Sequence, residues 1–180
     1  MTAGRAFPIP VDERCEGPCL WIGESLLAVT ERLLRSYGGA HDHEGIVYWG
    51  GLELPQGAAA LTAVSPVAIT TWGSFRTERD TNTALVLTLA SLGLSLVAQV
   101  HSHPGEWVDH SDGDDGGALV KFHGFWSLVV PNFAQLGMRN LEAVGVHLFD
   151  TGAFRRLGPS AVSSRVRALP IAVDLRAEDR

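Results

Sequence analysis

The sequence predicts an α+β domain, a mixed sheet flanked by at least two helices. Leu26, Thr30, Leu33, Leu34 and Tyr37 recur at helical spacing near the start. Runs rich in β-branched and aromatic residues, such as IVYWGGLEL and FWSLVVP, lie further along. Helical and strand-like stretches interleave without internal repeats or low-complexity segments, the pattern of strands and helices packed about one core.

Residues 1–20 contain Pro8, Pro10, Gly17 and Pro18 and show no period, so they read as a flexible extended arm. The helical spacing that follows predicts a first helix near 23–37, with Gly38 as its C-cap. GGAHDHE is a polar loop, and IVYWGGLEL behind it is a strand. AVSPVAITTW is a second strand, whose middle Pro66 restricts to an edge or a bulge. Asp80 or Thr81 can cap a second helix through TALVLTLASLG, ended by Gly93, with Leu85, Leu89 and Leu92 as its core stripe. The apolar run from Leu94 to Val100 suits a buried strand. HSHPGEWVDHSDGDDGG combines Pro, Gly and short polar residues and reads as loop. Further strands are expected at FWSLVVP, EAVGVHLFD and RVRALPIAVDL. The folded domain is placed at 21–175, with a polar tail at 176–180.

With 180 residues, 46% of them apolar, the chain can bury one sizeable core. It contains no run of about eighteen apolar residues that could span a membrane. The first residues lack the basic and apolar regions of a secretory signal, so a cytoplasmic protein is expected. The net charge is −6, and Lys121 is the single lysine, which disfavours nucleic acid as a partner. Cys15 and Cys19, in CEGPC, form no disulfide framework. They could recruit His41 and His43 into a four-ligand site, although two ordinary thiols beside two loop histidines is the better reading.

Chemistry concentrates around His101 and His103. Two apart at a strand end, both imidazoles project to one side if the extended geometry persists through Ser102. Ser111 can cap a helical turn that carries Asp114 back toward them. Two histidines and a carboxylate suit catalytic zinc, because they leave a coordination position open. Asp109, Asp112 and Asp115 compete with Asp114 for this role, and register favours Asp114. Glu44, at the mouth of the strand IVYWGGLEL, is the candidate general base, whereas Glu53 falls at the far end of that strand. The Ser111 hydroxyl could donate to the oxyanion. His110, His123 and His147 have no partners at ligand spacing and read as polar or surface residues. Trp107 either packs against a substrate tail or anchors its loop.

Glu44, then His101-Ser102-His103, seven residues, Ser111, two residues and Asp114 reproduces a full signature. In this the chain resembles the JAMM (JAB, MPN) metalloprotease family over about residues 23–150. The resemblance implies an MPN (cytidine-deaminase-like) fold, bound Zn2+, and peptidase or isopeptidase activity. Substrates would be conjugates or precursors of a ubiquitin-like protein. The short chain looks like the stand-alone prokaryotic members, which implies E1- or E2-like partners in a bacterial conjugation or antiviral-defence system. A non-catalytic scaffold, and a zinc hydrolase of small amides or sulfur-carrier conjugates, are the other readings.

Overall fold

Among residues 11–170, which the computed structural model describes, alternating apolar runs build strands and two amphipathic segments cover them. In chain order the elements are β1 (Val11–Asp12), β2 (Cys19–Gly23), α1 (Glu24–His41), β3 (Ile46–Leu54) and β4 (Gly57–Val64). The hairpin β5 (Ala68–Thr71) and β6 (Ser74–Thr77) follows, then α2 (Arg79–Ser91), β7 (Ser95–Ser102) and the short α3 (Asp112–Gly117). The chain continues through β8 (Trp126–Val130), β9 (Gly145–Asp150), β10 (Ala153–Leu157), α4 (Pro159–Arg165) and β11 (Val166–Leu169).

Nine strands form one sheet in the order β1-β10-β9-β8-β7-β3-β4-β2-β11, while β5 and β6 pair only with each other. The sheet is mixed. β3 runs antiparallel to both β4 and β7, whereas β7 and β8 are parallel. The α+β expectation therefore holds.

β3 lies at the sheet's centre and buries Ile46 through Gly51 without interruption. Neighbouring side chains pass to opposite faces. On one face Val47 and Trp49 join Leu26, Leu27 and Leu34 of α1, together with Val100 and Leu128. The Trp49 Nε1–H reaches the buried Thr30 Oγ1 at 2.8 Å, so the indole packs without an orphaned donor. On the other face Ile46 and Tyr48 meet Leu85 and Leu89 of α2, with Phe125 and Phe154.

Several boundaries differ from the sequence reading. α1 runs past Gly38, because Gly38 serves contact rather than termination: a Cβ there would collide with the Phe133 ring. Its cap is Asp42 in the left-handed region (φ 53°), whose N–H donates to the Gly38 carbonyl at 2.8 Å. The stretch expected as one strand around Pro66 is divided between the end of β4 and β5. Neither Asp80 nor Thr81 caps α2; Glu78 occupies the N-cap without a side-chain bond, and Asp80 sits in the first turn. Leu92 is 62% exposed rather than core, because it lies at the C-cap, beyond the face that packs on β7. The loop after His103 contains one helical turn, α3. Most of β4, together with β6 and β10, was not anticipated.

The expected N-terminal arm is not free over its described part. β1 pairs with β10, and β2 fills a place between β4 and β11 with Leu20 fully buried. The buried Arg165 guanidinium ties this segment down through the Pro18 carbonyl (3.1 Å) and the Asp12 carboxylate (3.5 Å). Residues 1–10, the expected domain end at 171–175 and the tail at 176–180 lie outside the described residues. Among those described, no helix is long and apolar enough to cross a membrane.

Candidate metal centre

The site is assembled where β3 begins and β7 ends. The antiparallel register sets Ile46 opposite His101, so two residues on Glu44 comes opposite His103. Ser102 secures this alignment from between the histidines. Its N–H donates to the Gly45 carbonyl (3.0 Å), and its Oγ accepts from the Gly45 N–H (2.9 Å). The Glu44 N–H in turn donates to the Thr71 carbonyl on β5 (2.8 Å), and the Phe75 ring of β6 lies 5.2 Å from the His101 ring. The hairpin thus stands beside the centre.

Asp114 arrives from α3. Ser111 is the N-cap: its Oγ accepts from the Asp114 N–H (3.1 Å), and the Asp114 carboxylate accepts from the Ser111 N–H (2.7 Å), a reciprocal capping box. The Ser111 hydroxyl also donates to Asp114 Oδ2 (2.8 Å). That proton was expected at an oxyanion; here it orients Asp114.

His101 Nε2 and His103 Nε2 lie 3.2 Å apart, with Asp114 Oδ1 3.3 Å from the first and Oδ2 3.4 Å from the second. All three side chains are buried, and their ligand atoms fall within 4.8 Å of one another. The His103 Nδ1 faces the Trp107 carbonyl at 2.9 Å, and a carbonyl can only accept. In the neutral ring the proton is therefore on Nδ1, which leaves Nε2 to ligate on the side of His101 and Asp114. Burial lowers the pKa of His103, but its hydrogen bond to Asp114 and the charges of Asp114 and Glu44 outweigh it, so a cation is favoured at this place. The donor set fits a divalent metal ion, and the Trp107 carbonyl fixes the tautomer a ligand histidine needs. The Trp107 ring also stacks on His103 (5.2 Å, 13°), so this residue anchors the motif loop, and at 37% exposure it also faces solvent.

Glu44 is 2% exposed, and burial pushes its pKa up to about 8; His103 pulls it down and Asp114 adds to the rise. Burial works against the charge on Asp114, but the two histidines outweigh it and hold the carboxyl well below the ordinary carboxylate range. Burial lowers the pKa of His101 despite the attraction of Asp114.

Two of the competing acids go elsewhere. Asp115 Oδ1 contacts His110 Nδ1 (2.8 Å), and Asp109 accepts from Arg156 (3.1 Å). Glu53 borders a groove with Gln56, Phe122 and His123, at the opposite ends of β3 and β7 from the histidines. His41 ends α1, and His43 Nδ1 meets Thr70 Oγ1 (3.1 Å). Cys15 and Cys19 are free thiols. Among the described residues the only three-ligand group is His101, His103 and Asp114. His110 and His147, expected as polar or surface residues, are both fully buried and stacked at 4.1 Å. Sequence reasoning missed Ser102 as a site support, because it acts through bonds to Gly45, on a remote segment.

A buried two-histidine, one-carboxylate group beside a buried glutamate, on an α+β scaffold, is a candidate metal centre with the donor set that metal-dependent hydrolases use. One relative bears on the class. The protein of Sinorhizobium fredii (strain NBRC 101917 / NGR234) named "Probable metalloprotease y4jG" is 34% identical over 137 residues, covering 74% of this chain and 83% of that protein. The chain belongs to this metalloprotease family. No protein-family model matches it. The solution structure of protein DSY2949 from Desulfitobacterium hafniense superposes with a TM-score of 0.60 at 11% identity, over 84% of this chain and 95% of that one. A Salinibacter ruber (strain DSM 13855) protein gives a TM-score of 0.49 at 20% identity, over 73% and 88% respectively.

Proposed function

We propose that this chain is a zinc isopeptidase of the JAMM type with an MPN fold, acting on a ubiquitin-like protein joined to a conjugate or to its own C-terminal extension. The observation that carries the reading is the convergence of His101, His103 and Asp114 with Glu44 beside them, in residues that fill the whole Glu, H-S-H, seven, Ser, two, Asp spacing. Zinc suits the site because two imidazoles and one carboxylate leave a position open.

When bound, the ion supplies Lewis acidity toward a carbonyl and eases ionisation of a water. The chain's own residues do the rest. Glu44 accepts the proton of the attacking water and returns it to the departing amine. The Ser111 O–H turns from Asp114 to the oxyanion, while the Ser111 N–H continues to hold the carboxylate. An extended substrate tail lies along an edge of the β5–β6 hairpin, whose outer edges pair with no other described strand. The part-exposed Trp107 ring, stacked on His103, offers the tail a further apolar contact. A cytoplasmic role in a bacterial conjugation or defence system, with E1- or E2-like partners, belongs to the same reading.

The test compares zinc content and cleavage of a ubiquitin-like fusion for wild type and Glu44→Ala. About one zinc per chain in both, with turnover lost by roughly 10²–10⁴-fold in the variant, is expected. Zinc in both with no cleavage of the fusion by the wild type removes the substrate class, and cleavage of a small amide instead would favour a small-molecule hydrolase. Zinc absent from the wild type removes the reading altogether.

A further inference from the structure

Behind the ligands lies a second polar cluster that the reaction does not use. His110 is fully buried. Its Nδ1 contacts Asp115 Oδ1 at 2.8 Å and its Nε2 contacts Ser127 Oγ at 2.8 Å. Ser127 Oγ also accepts from Gln99 Nε2 at 3.1 Å. Burial keeps the His110 ring neutral, and for a neutral ring these bonds have one consistent assignment. An ionised Asp115 can only accept, so Nδ1 carries the proton; Nε2 then accepts from the Ser127 hydroxyl, whose oxygen takes the Gln99 proton. The chain of bonds runs from β7 through β8 to α3.

Its ends are informative. Gln99 is two residues before His101 on β7, and Asp115 follows Asp114 on α3. α3 has six residues and cannot hold its own direction, because so short a helix gains little from its few internal bonds. Ser111 caps the turn from within, which leaves its tie to the sheet to other residues, Asp114 on His101 and His103 among them. The His110 imidazole supplies a further tie, and its ring is wedged between His147 (4.1 Å) and Phe154 (4.7 Å), 5.8 Å from the His101 ring.

We propose that His110 is a positioning residue of the metal centre: by bridging Ser127 and Asp115 it fixes α3, and therefore the Asp114 carboxylate, against the strand that carries His101 and His103. His110 touches no metal in this role. The assignment rests on the metal reading of His101, His103 and Asp114, and its test separates the two.

Zn2+ affinity by chelator competition, and the visible absorption of the Co2+-loaded chain, are measured for the full-length wild type, His110→Phe and Ser127→Ala. The metal-free unfolding midpoint is recorded beside them. His110→Phe keeps a ring between His147 and Phe154 but breaks both bonds; Ser127→Ala removes one hydroxyl from β8. Loss of affinity by about 10–100-fold in both, with a changed Co2+ spectrum, is expected, as for other supports of metal ligands. His110→Asn, which keeps a donor toward Asp115, should recover part of the affinity. Near-wild-type affinity with an unchanged Co2+ spectrum in Ser127→Ala, or in a folded His110→Phe, overturns the assignment even if the midpoint falls. If His110→Phe does not fold, Ser127→Ala decides. A wild type that binds neither ion removes the metal reading and this assignment with it.

Discussion

Glu44 combines two properties that seldom meet in one carboxyl: it is almost wholly buried, and it faces another acid, Asp114, with His103 as the partially compensating charge. Burial is the dominant effect, and it holds the pKa near 8 from an ordinary 4.5. This has a consequence for stability that can be measured on metal-free protein, where no cation draws the pKa down. Between the two values the folded chain keeps a proton that the unfolded chain has released. Folding stability therefore falls as pH rises from about 5 to about 8 and levels off above, each pKa unit being worth about 1.4 kcal/mol. Glu44→Gln lacks this dependence. Denaturant midpoints of metal-free wild type and Glu44→Gln should diverge across that range, the wild type losing ground as pH rises. Parallel midpoints would mean that Glu44 is solvated. At the same scale, Trp107 serves through its backbone as well as its ring, since its carbonyl sets the His103 tautomer while the indole stacks on the imidazole.

At the scale of elements, the centre depends on three pieces of very different stability. β3 and β7 are central strands, and their register alone sets Glu44 against His103. α3 is one short turn that must be held by its cap and by His110. α1 supports the opposite face, and its C-terminal end meets the turn Asn132–Ala134, where three non-glycine residues take positive φ. Such a turn is costly for L-residues. It is held by the Phe133 N–H on the His103 carbonyl (2.8 Å) and by the Arg35 guanidinium on the Ala134 carbonyl (2.9 Å). Gly38 is where α1 admits Phe133. An alanine inside a helix normally stabilises by about 1 kcal/mol relative to glycine. Gly38→Ala should do the reverse and cost about 1–3 kcal/mol, because its Cβ overlaps a buried ring beside a backbone that cannot retreat. Thermal unfolding reads the sign directly, and a raised midpoint would show that the α1–Phe133 contact is loose.

For the molecule as a whole, metal binding and folding are linked. The ligands come from β7 and α3, and the base from the start of β3, segments that meet only in the folded chain. An ion bound by the folded state alone stabilises it by about 4 kcal/mol at a thousand times Kd. For a domain of this size that corresponds to a rise of about 10 °C in Tm. Zn2+ should raise the wild-type Tm on this scale, a chelator should reverse the rise, and His101→Ala should show neither. Equal shifts in both proteins would place the ion elsewhere. The N-terminal segment is part of the fold: Arg165 of α4 bonds Asp12 on the edge strand β1 and the Pro18 carbonyl just before β2, which lies beside the other edge strand, β11.

The sequence by itself pointed to the candidate ligands and to their local geometry. Alternation along β7 puts His101 and His103 on one side, and the Ser111 cap turns Asp114 inward; both follow from rules that act over a few residues. The major strands at IVYWGGLEL, FWSLVVP and EAVGVHLFD are readable for the same reason, the last beginning at Gly145 in the fold. Tertiary structure decided what depends on pairing across the chain. Glu44 could be named from spacing, but only the β3–β7 register and the Ser102–Gly45 bonds bring it to His103. His110 gave no signal because its partners, Ser127 and Asp115, lie on a distant strand and a turn. Residues 11–20 looked like an arm because their pairing partners, β10, β4 and β11, are far along the chain. Hydrophobic period and capping are local and appear in one sequence; strand register and buried hydrogen-bond partners arise only when remote segments meet.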